Sequence, residues 1–298
     1  MIFLVYEDFL CCVQRMVQQK MGKEVRVSLH RVSKNNGVYL DGLSVHEDDQ
    51  NIAPTIYLND FYREFQEGCG LPKIVEQIGE LYEKSKIKGK IDTGFYMNFE
   101  NIRERIACKL ISFERNRELL EKVPYVRYLD LAVVFYYMME HEELGEGTIL
   151  IYGSHLEMWK VTEEELYRQA RENTLRLLSW EFYSMREVIR DLATEERDEE
   201  LFSESCLPMY VLTNRNRSFG AAVILFDSVL AEVGDCLKED FYILPSSIHE
   251  VIIIPAGFAL PREELEHMVQ EINETQLLPQ EVLSERVYYY CCTQHSLS

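Results

Sequence analysis

Residues Phe241–Pro255, FYILPSSIHEVIIIP, decide the fold class. Two strongly apolar runs flank the polar connection Pro245-Ser246-Ser247-Ile248-His249-Glu250. Short apolar runs rich in β-branched and aromatic residues, separated by turn residues, are expected to form two buried strands. Elsewhere, runs of adjacent strands alternate with amphipathic helices without a regular β-α-β repeat. The expectation is an α+β protein with a mostly antiparallel sheet, flanking helices and two closely packed lobes.

Upstream, Val5, Phe9, Val13, Met16 and Val17 recur at helical spacing. Val25, Val27 and Leu29 then alternate with Arg26, Ser28 and His30, as a half-buried strand requires. Asn35-Asn36-Gly37 supplies residues that tolerate φ > 0 and predicts a hairpin into a second strand through Val38, Leu40 and Val45. NIAPTIYLNDFYREF leads into a helix capped by Asn59, and a further helix over 72–86 carries Ile74, Ile78, Leu81 and Tyr82 on one stripe. The polar, glycine-punctuated KSKIKGKIDTG marks a boundary near 85–100. It separates 1–100 (helix, hairpin and helical lobe) from 101–298 (strand meander, helices and C-terminal strands), unless the chain is one continuous domain.

IACKLIS (106–112), LDLAVVFYYMMEH (129–141), GTILIYG (147–153) and HLEMWKV (155–161) predict strands, the last three as an antiparallel meander. Thr162-x-x-Glu165 matches a capping box, with Val161 and Leu166 at staple positions, so a helix is expected toward Leu178. A helix over 182–192, an acidic loop TEERDEE, the strand PMYVLTN and a helix ending near Cys236 follow. Pro261 opens the helix REELEHMVQEIN, and ERVYYYC is a last strand before a polar tail.

The chain has 298 residues, and its 51 Asp and Glu against 31 Lys and Arg give a net charge of -20. Such a surface repels phosphate backbones, so no nucleic-acid or membrane partner is expected, whereas a protein partner is compatible with it. The basic run Lys84–Lys90 is local and fits a solvated loop. An acidic DNA-mimic inhibitor is a further alternative, but the clusters Glu163–Glu165 and Glu195–Glu200 fall on a predicted helix face and in a predicted loop. No basic leader or membrane-length apolar run is present, and the eight cysteines form no C-x-x-C pair. Reduced thiols in the cytoplasm are expected.

Ser-x-His spacing in the quoted stretch suggests a nucleophile and its base, making Ser246, Ser247, His249 and Glu250 the candidate catalytic residues of a hydrolase. There is no G-x-S-x-G elbow or glycine-rich oxyanion loop, which favours turn and capping roles. His249-Glu250 and His141-Glu142-Glu143 lack the second histidine of a zinc helix, and phosphate-cradling glycine loops are missing, so neither metal nor cofactor is expected. The runs Phe135-Tyr136-Tyr137 and Tyr288-Tyr289-Tyr290 fit strands packed on both faces. A non-enzymatic interaction or regulatory module is the leading expectation, and oligomeric state is left open.

NIAPTIYLNDFYREFQEG, YVLTNRNRSFGAAVILFDSVL, FYILPSSIHEVIIIP and LSERVYYY resemble domain of unknown function 5688, a bacterial family. LPSSIHEVI is the most specific element and GAAVIL the second. The order of elements is more distantly similar to domain of unknown function 1444. These resemblances imply a bacterial, cytoplasmic protein and carry over no catalytic residue.

Overall fold

The computed structural model describes residues 4–86, 89–90, 93–141, 145–187, 207–258 and 260–298. The chain divides into two compact units, Met1–Phe95 with Glu140–Gly145, and Tyr96–Met139 with Glu146–Ser298. The described residues form three mostly antiparallel sheets with helices between them, an α+β architecture.

In the first unit, helix α1 (Tyr6–Met21) precedes strands β1 (Arg26–Ser33) and β2 (Tyr39–His46). A 3-10 turn joins the strands, with Asn36 and Gly37 at φ 60° and 66°, the left-handed region for which these residues are suited. Strand β3 (Thr55–Tyr57) completes the sheet in the order β1-β2-β3, followed by α2 (Asn59–Gln66) and α3 (Leu71–Ser85). The cap of α2 is Leu58, not Asn59, whose side-chain oxygen instead accepts from the Asp41 N–H at 3.0 Å. Val27, Leu43, Val45 and Ile56 share one sheet face and pack with Phe9, Val13 and Val17 of α1 and Ile74, Val75 and Ile78 of α3. Leu81 is 45% exposed and Val75 takes its expected place in the stripe.

In the second unit, α4 (Phe99–Ile102) leads into β4 (Ile106–Ser112), and α5 (Arg117–Leu120) into β5 (Tyr125–Tyr128). Strand β6 (Leu131–His141) lies between β4 and β5 and also pairs with β7 (Gly145–Leu150). HLEMWKV is not a strand. Gly153–Trp159 forms helix α6, because Leu156 and Trp159, three residues apart, are the buried pair, and Lys160 ends the helix in the left-handed region. Helix α7 (Glu163–Leu177) starts as expected, the Thr162 hydroxyl accepting from the Glu165 N–H at 3.2 Å.

The first three residues of the helix expected over 182–192 belong instead to strand β8 (Trp180–Ser184), fixed by pairing with β9 (Tyr210–Asn214) and by the stack of Phe182 on Tyr210, while 185–187 are helical as expected. The remainder of that expectation from 188 and the TEERDEE loop lie outside the described residues, as do Glu142, Glu143 and parts of KSKIKGKIDTG. A 3-10 turn over Gly220–Leu225 precedes α8 (Asp227–Leu237), β10 (Phe241–Leu244), β11 (Val251–Pro255) and α9 (Arg262–Thr275). Strand β12 (Tyr288–Cys291) pairs with β13 (Ser296–Leu297), so the expected tail carries an edge strand, giving the order β13-β12-β10-β11-β9-β8. No described helix is long and apolar enough to cross a membrane.

Cys108 on β4 is fully buried, and that burial pushes its thiol up to about 12 despite the hydroxyl of Thr174 and the charge of Arg171. In a thiol-reagent time course at neutral pH with mapped adducts, the exposed Cys11 and Cys236 should be modified first. Cys108 should react only on global unfolding, and rapid native-state labelling there would refute its burial.

Candidate functional site

Strands β10 and β11 pair from Phe241↔Pro255 to Leu244↔Ile252, which leaves 245–250 as the connection between them. The connection is clamped on two sides. Along one, Leu283 N–H donates to the Ser246 carbonyl (2.8 Å), Ser284 N–H to the Pro245 carbonyl (3.0 Å), and Ile248 N–H to the Glu281 carbonyl (2.9 Å). These bonds frame an isolated antiparallel bridge between Ser247 and Val282. Along the other, Ala221 N–H donates to the Ile248 carbonyl at 3.3 Å, and the Thr213 hydroxyl to the His249 carbonyl at 2.7 Å.

Gly220 makes the second clamp sterically feasible. A Cβ there would stand 2.2 Å from Thr213 Oγ1, 2.4 Å from the His249 carbonyl oxygen and 2.7 Å from the Asn214 nitrogen. Only glycine admits so close an approach.

The two serines of the connection are buried against these clamps, and His249 is partly so. Ser246 and Ser247 are 6% and 2% exposed, and the Ser247 hydroxyl accepts from the His249 N–H at 3.0 Å. His249 Nδ1 accepts from the Phe219 N–H at 3.4 Å, which puts the ring proton of the neutral form on Nε2. Nε2 lies 3.9 Å from Glu281 Oε1. The imidazole stacks on the Phe219 ring at 5.8 Å between centroids and 13° between planes. Lys109 Nζ stands 4.5 Å from the same ring's centroid, and Tyr136 meets it edge-on. Phe219 itself has φ 55°, an uncommon conformation for a bulky residue that surrounding contacts must enforce.

The structure therefore brings Ser246, Ser247 and His249 into one turn without hydrogen-bonding either serine hydroxyl to the imidazole, and Glu250 makes no ion pair with His249. Among the described residues the serine–imidazole hydrogen bond is elsewhere, from Ser28 to His46 Nε2 at 2.9 Å in the first unit. These residues are 18 apart in sequence, and only the register of the predicted hairpin could have linked them. No described cluster of histidine, cysteine, aspartate and glutamate could hold a metal ion. His155 packs with Tyr96, Tyr152 and Trp159, and burial holds its imidazole below the usual range.

The fold and this site define an α+β protein in which residues 245–250 form an interior joint. The chain matches the family described as Family of unknown function (DUF5688) over residues 6–292, and it belongs to that family. The more distant likeness to domain of unknown function 1444 is not confirmed. No curated protein and no solved structure matches the chain.

Gly220→Ala should destabilise the protein by about 2–4 kcal/mol or prevent folding, because the clashing atoms belong to strand β9 and to the 245–250 turn. Gly70→Ala, whose Cβ would meet its nearest atom at an ordinary 3.7 Å, should change stability by roughly 0.5 kcal/mol or less. Urea unfolding of the two variants makes the comparison, and equal losses would contradict the clamp.

Proposed function

We propose that the protein is a non-enzymatic interaction or regulatory module acting in the cytoplasm, with residues 245–250 as the joint of its second unit. The observation that carries this reading is how the joint's polar groups are engaged. The Ser247 hydroxyl and His249 Nδ1 each accept from a backbone N–H, and the His249 carbonyl accepts from Thr213. A hydrolase needs a hydroxyl within hydrogen-bond reach of its base and open to substrate. These serines meet neither condition.

A protein partner suits the remaining features. Phe258, 61% exposed, sits on a 3-10 turn whose Gly257 N–H donates to Glu239 Oε2 at 2.6 Å and whose Ala256 N–H donates to the Asp240 carbonyl at 2.8 Å. A bulky aromatic held outward on a pinned turn has the character of an interface anchor, since little entropy is lost when it docks. The seven described cysteines are unpaired, in keeping with a reducing compartment.

Fluorophosphonate treatment followed by peptide mapping should leave Ser246 and Ser247 unmodified. In parallel, tagged wild-type protein and Phe258→Ala, purified from the native host, should differ in one stoichiometric partner that the variant fails to retain. An adduct on either serine, together with ester turnover lost in Ser246→Ala or Ser247→Ala, would overturn the reading.

A further inference from the structure

The sheet of the first unit has two unlike faces. One carries the apolar core residues already described. The other carries Arg26, Ser28, His30 and Val32 of β1, Leu40, Gly42, Ser44 and His46 of β2, and Thr55 and Tyr57 of β3, as the alternation of side chains along paired strands requires, so its polar groups lie toward the Arg26–His46 end. The register sets Arg26 opposite His46, Ser28 opposite Ser44, and Ser44 opposite Thr55. A row of three hydroxyls thus crosses the sheet, with an imidazole on either side of it along the strands.

These side chains bond to one another. Ser28 Oγ is 2.9 Å from His46 Nε2, Ser44 Oγ is 3.2 Å from Thr55 Oγ1, and Thr55 Oγ1 is 3.3 Å from His30 Nε2. Gly42 makes room for the last contact, since a Cβ there would fall 2.4 Å from Thr55 Cγ2 and 3.2 Å from His30 Nε2. Ser44 lies buried beneath the layer. Among the described residues, none of the six side chains is hydrogen-bonded or ion-paired to a carboxylate, and Arg26 makes no hydrogen bond or ion pair, although its charge, after burial, helps to hold the neighbouring His46 imidazole below its usual range.

That composition is unusual in a chain with 51 acidic residues and a net charge of -20. Several other arginines of the described residues pair with carboxylates, Arg31 with Asp41, Arg103 with Glu100, Arg117 with Glu114 and Arg262 with Glu266, whereas Arg15, Arg168, Arg215 and Arg286 share with Arg26 the lack of such a pair. The contrast between Arg31 and Arg26 is the sharpest, because they lie on the same strand and on opposite faces. An arginine fork, two imidazoles and the hydroxyls of Ser28 and Thr55, with no carboxylate bonded to any of them and Ser44 beneath them as a support, supply donors to a multivalent oxyanion. Cross-strand neighbours stand about 5 Å apart and same-strand neighbours about 7 Å, so a tetrahedral group can bridge the Arg26–His46 pair and the adjacent hydroxyl row. The chain's overall negative charge opposes extended polyanions, but at physiological salt screening acts within about 8 Å, and a small anion responds to the groups beside it.

We infer that this face, centred on Arg26, Ser28 and His46, is a binding site for the phosphate of a small phosphate monoester. Arg26 supplies the charge and a bidentate contact, and the hydroxyl row orients the oxygens. The site lies in the first unit and is independent of the Phe258 turn.

Isothermal titration at about 0.15 M NaCl, with inorganic phosphate and a sugar phosphate as probes and chloride as the control anion, tests the assignment. Saturable binding of both phosphates at one site is expected, weakened about tenfold or more in Arg26→Gln and in His46→Gln. Arg31→Gln, on the opposite face, and Phe258→Ala should bind as the wild type does. Circular dichroism of each variant separates lost binding from lost fold. The absence of saturable heat with either probe, or equal affinity in wild type and folded Arg26→Gln, would overturn the site. Tight binding of a phosphoserine peptide without binding of the sugar phosphate would overturn the small-molecule assignment.

Discussion

The close approach at Gly220 governs the second unit. Within 3 Å of the space a side chain would occupy lie a hydroxyl of β9, a backbone nitrogen of the same strand and a carbonyl of the 245–250 connection. Because the 3-10 turn can come this near, Ala221 N–H reaches the Ile248 carbonyl and Phe219 is carried to the His249 ring. The opposite flank of the connection is then closed by 281–284, whose backbone satisfies Pro245, Ser246 and Ile248. Three stretches far apart in sequence thus share one buried backbone junction, and buried backbone groups of this kind must be paired or the fold loses about 1–3 kcal/mol for each.

The first unit rests on a simpler constraint, the two-residue period of the strand. The alternation that sends Val27, Leu43, Val45 and Ile56 into the core sends Ser28, Ser44 and Thr55 to the other face. A sheet needs only the apolar half of this pattern for stability. The polar half is free to vary, and lysine or glutamate would serve as well for solvation. Here it carries hydroxyls and imidazoles that bond to one another, beside an arginine with no hydrogen bond or ion pair among the described residues.

Elements encoded by local chemistry were legible in the sequence. Thr162 capping at Glu165, the Asn36-Gly37 turn and the apolar runs around 245–250 each act within a few residues, and each element formed where those signals lie. HLEMWKV and residues 182–184 were misread because so few residues fit both periods, and partners chose between them. Trp180–Ser184 became a strand through β9, some 30 residues away across a segment with no strong pattern of its own. The candidate site was legible as a location and not as a geometry. Ser246, Ser247 and His249 do share a turn, but the ring of His249 is oriented by Phe219 and Glu281, at 30 and 32 residues' distance.

That geometry explains why an interior connection carries Ser-Ser-Ile-His. A buried turn has backbone groups that no ladder satisfies, and short polar side chains are the local means of pairing them. Ser247 does this for the His249 N–H, while Ile248 fills apolar space and uses its N–H and carbonyl on opposite clamps. His249 extends the same service to the strained Phe219, offering a ring acceptor to its N–H and an aromatic face to its side chain. Here Ser247 and His249 accept from backbone N–H groups of the junction, and the 245–250 connection is tied on both sides to the fold around it.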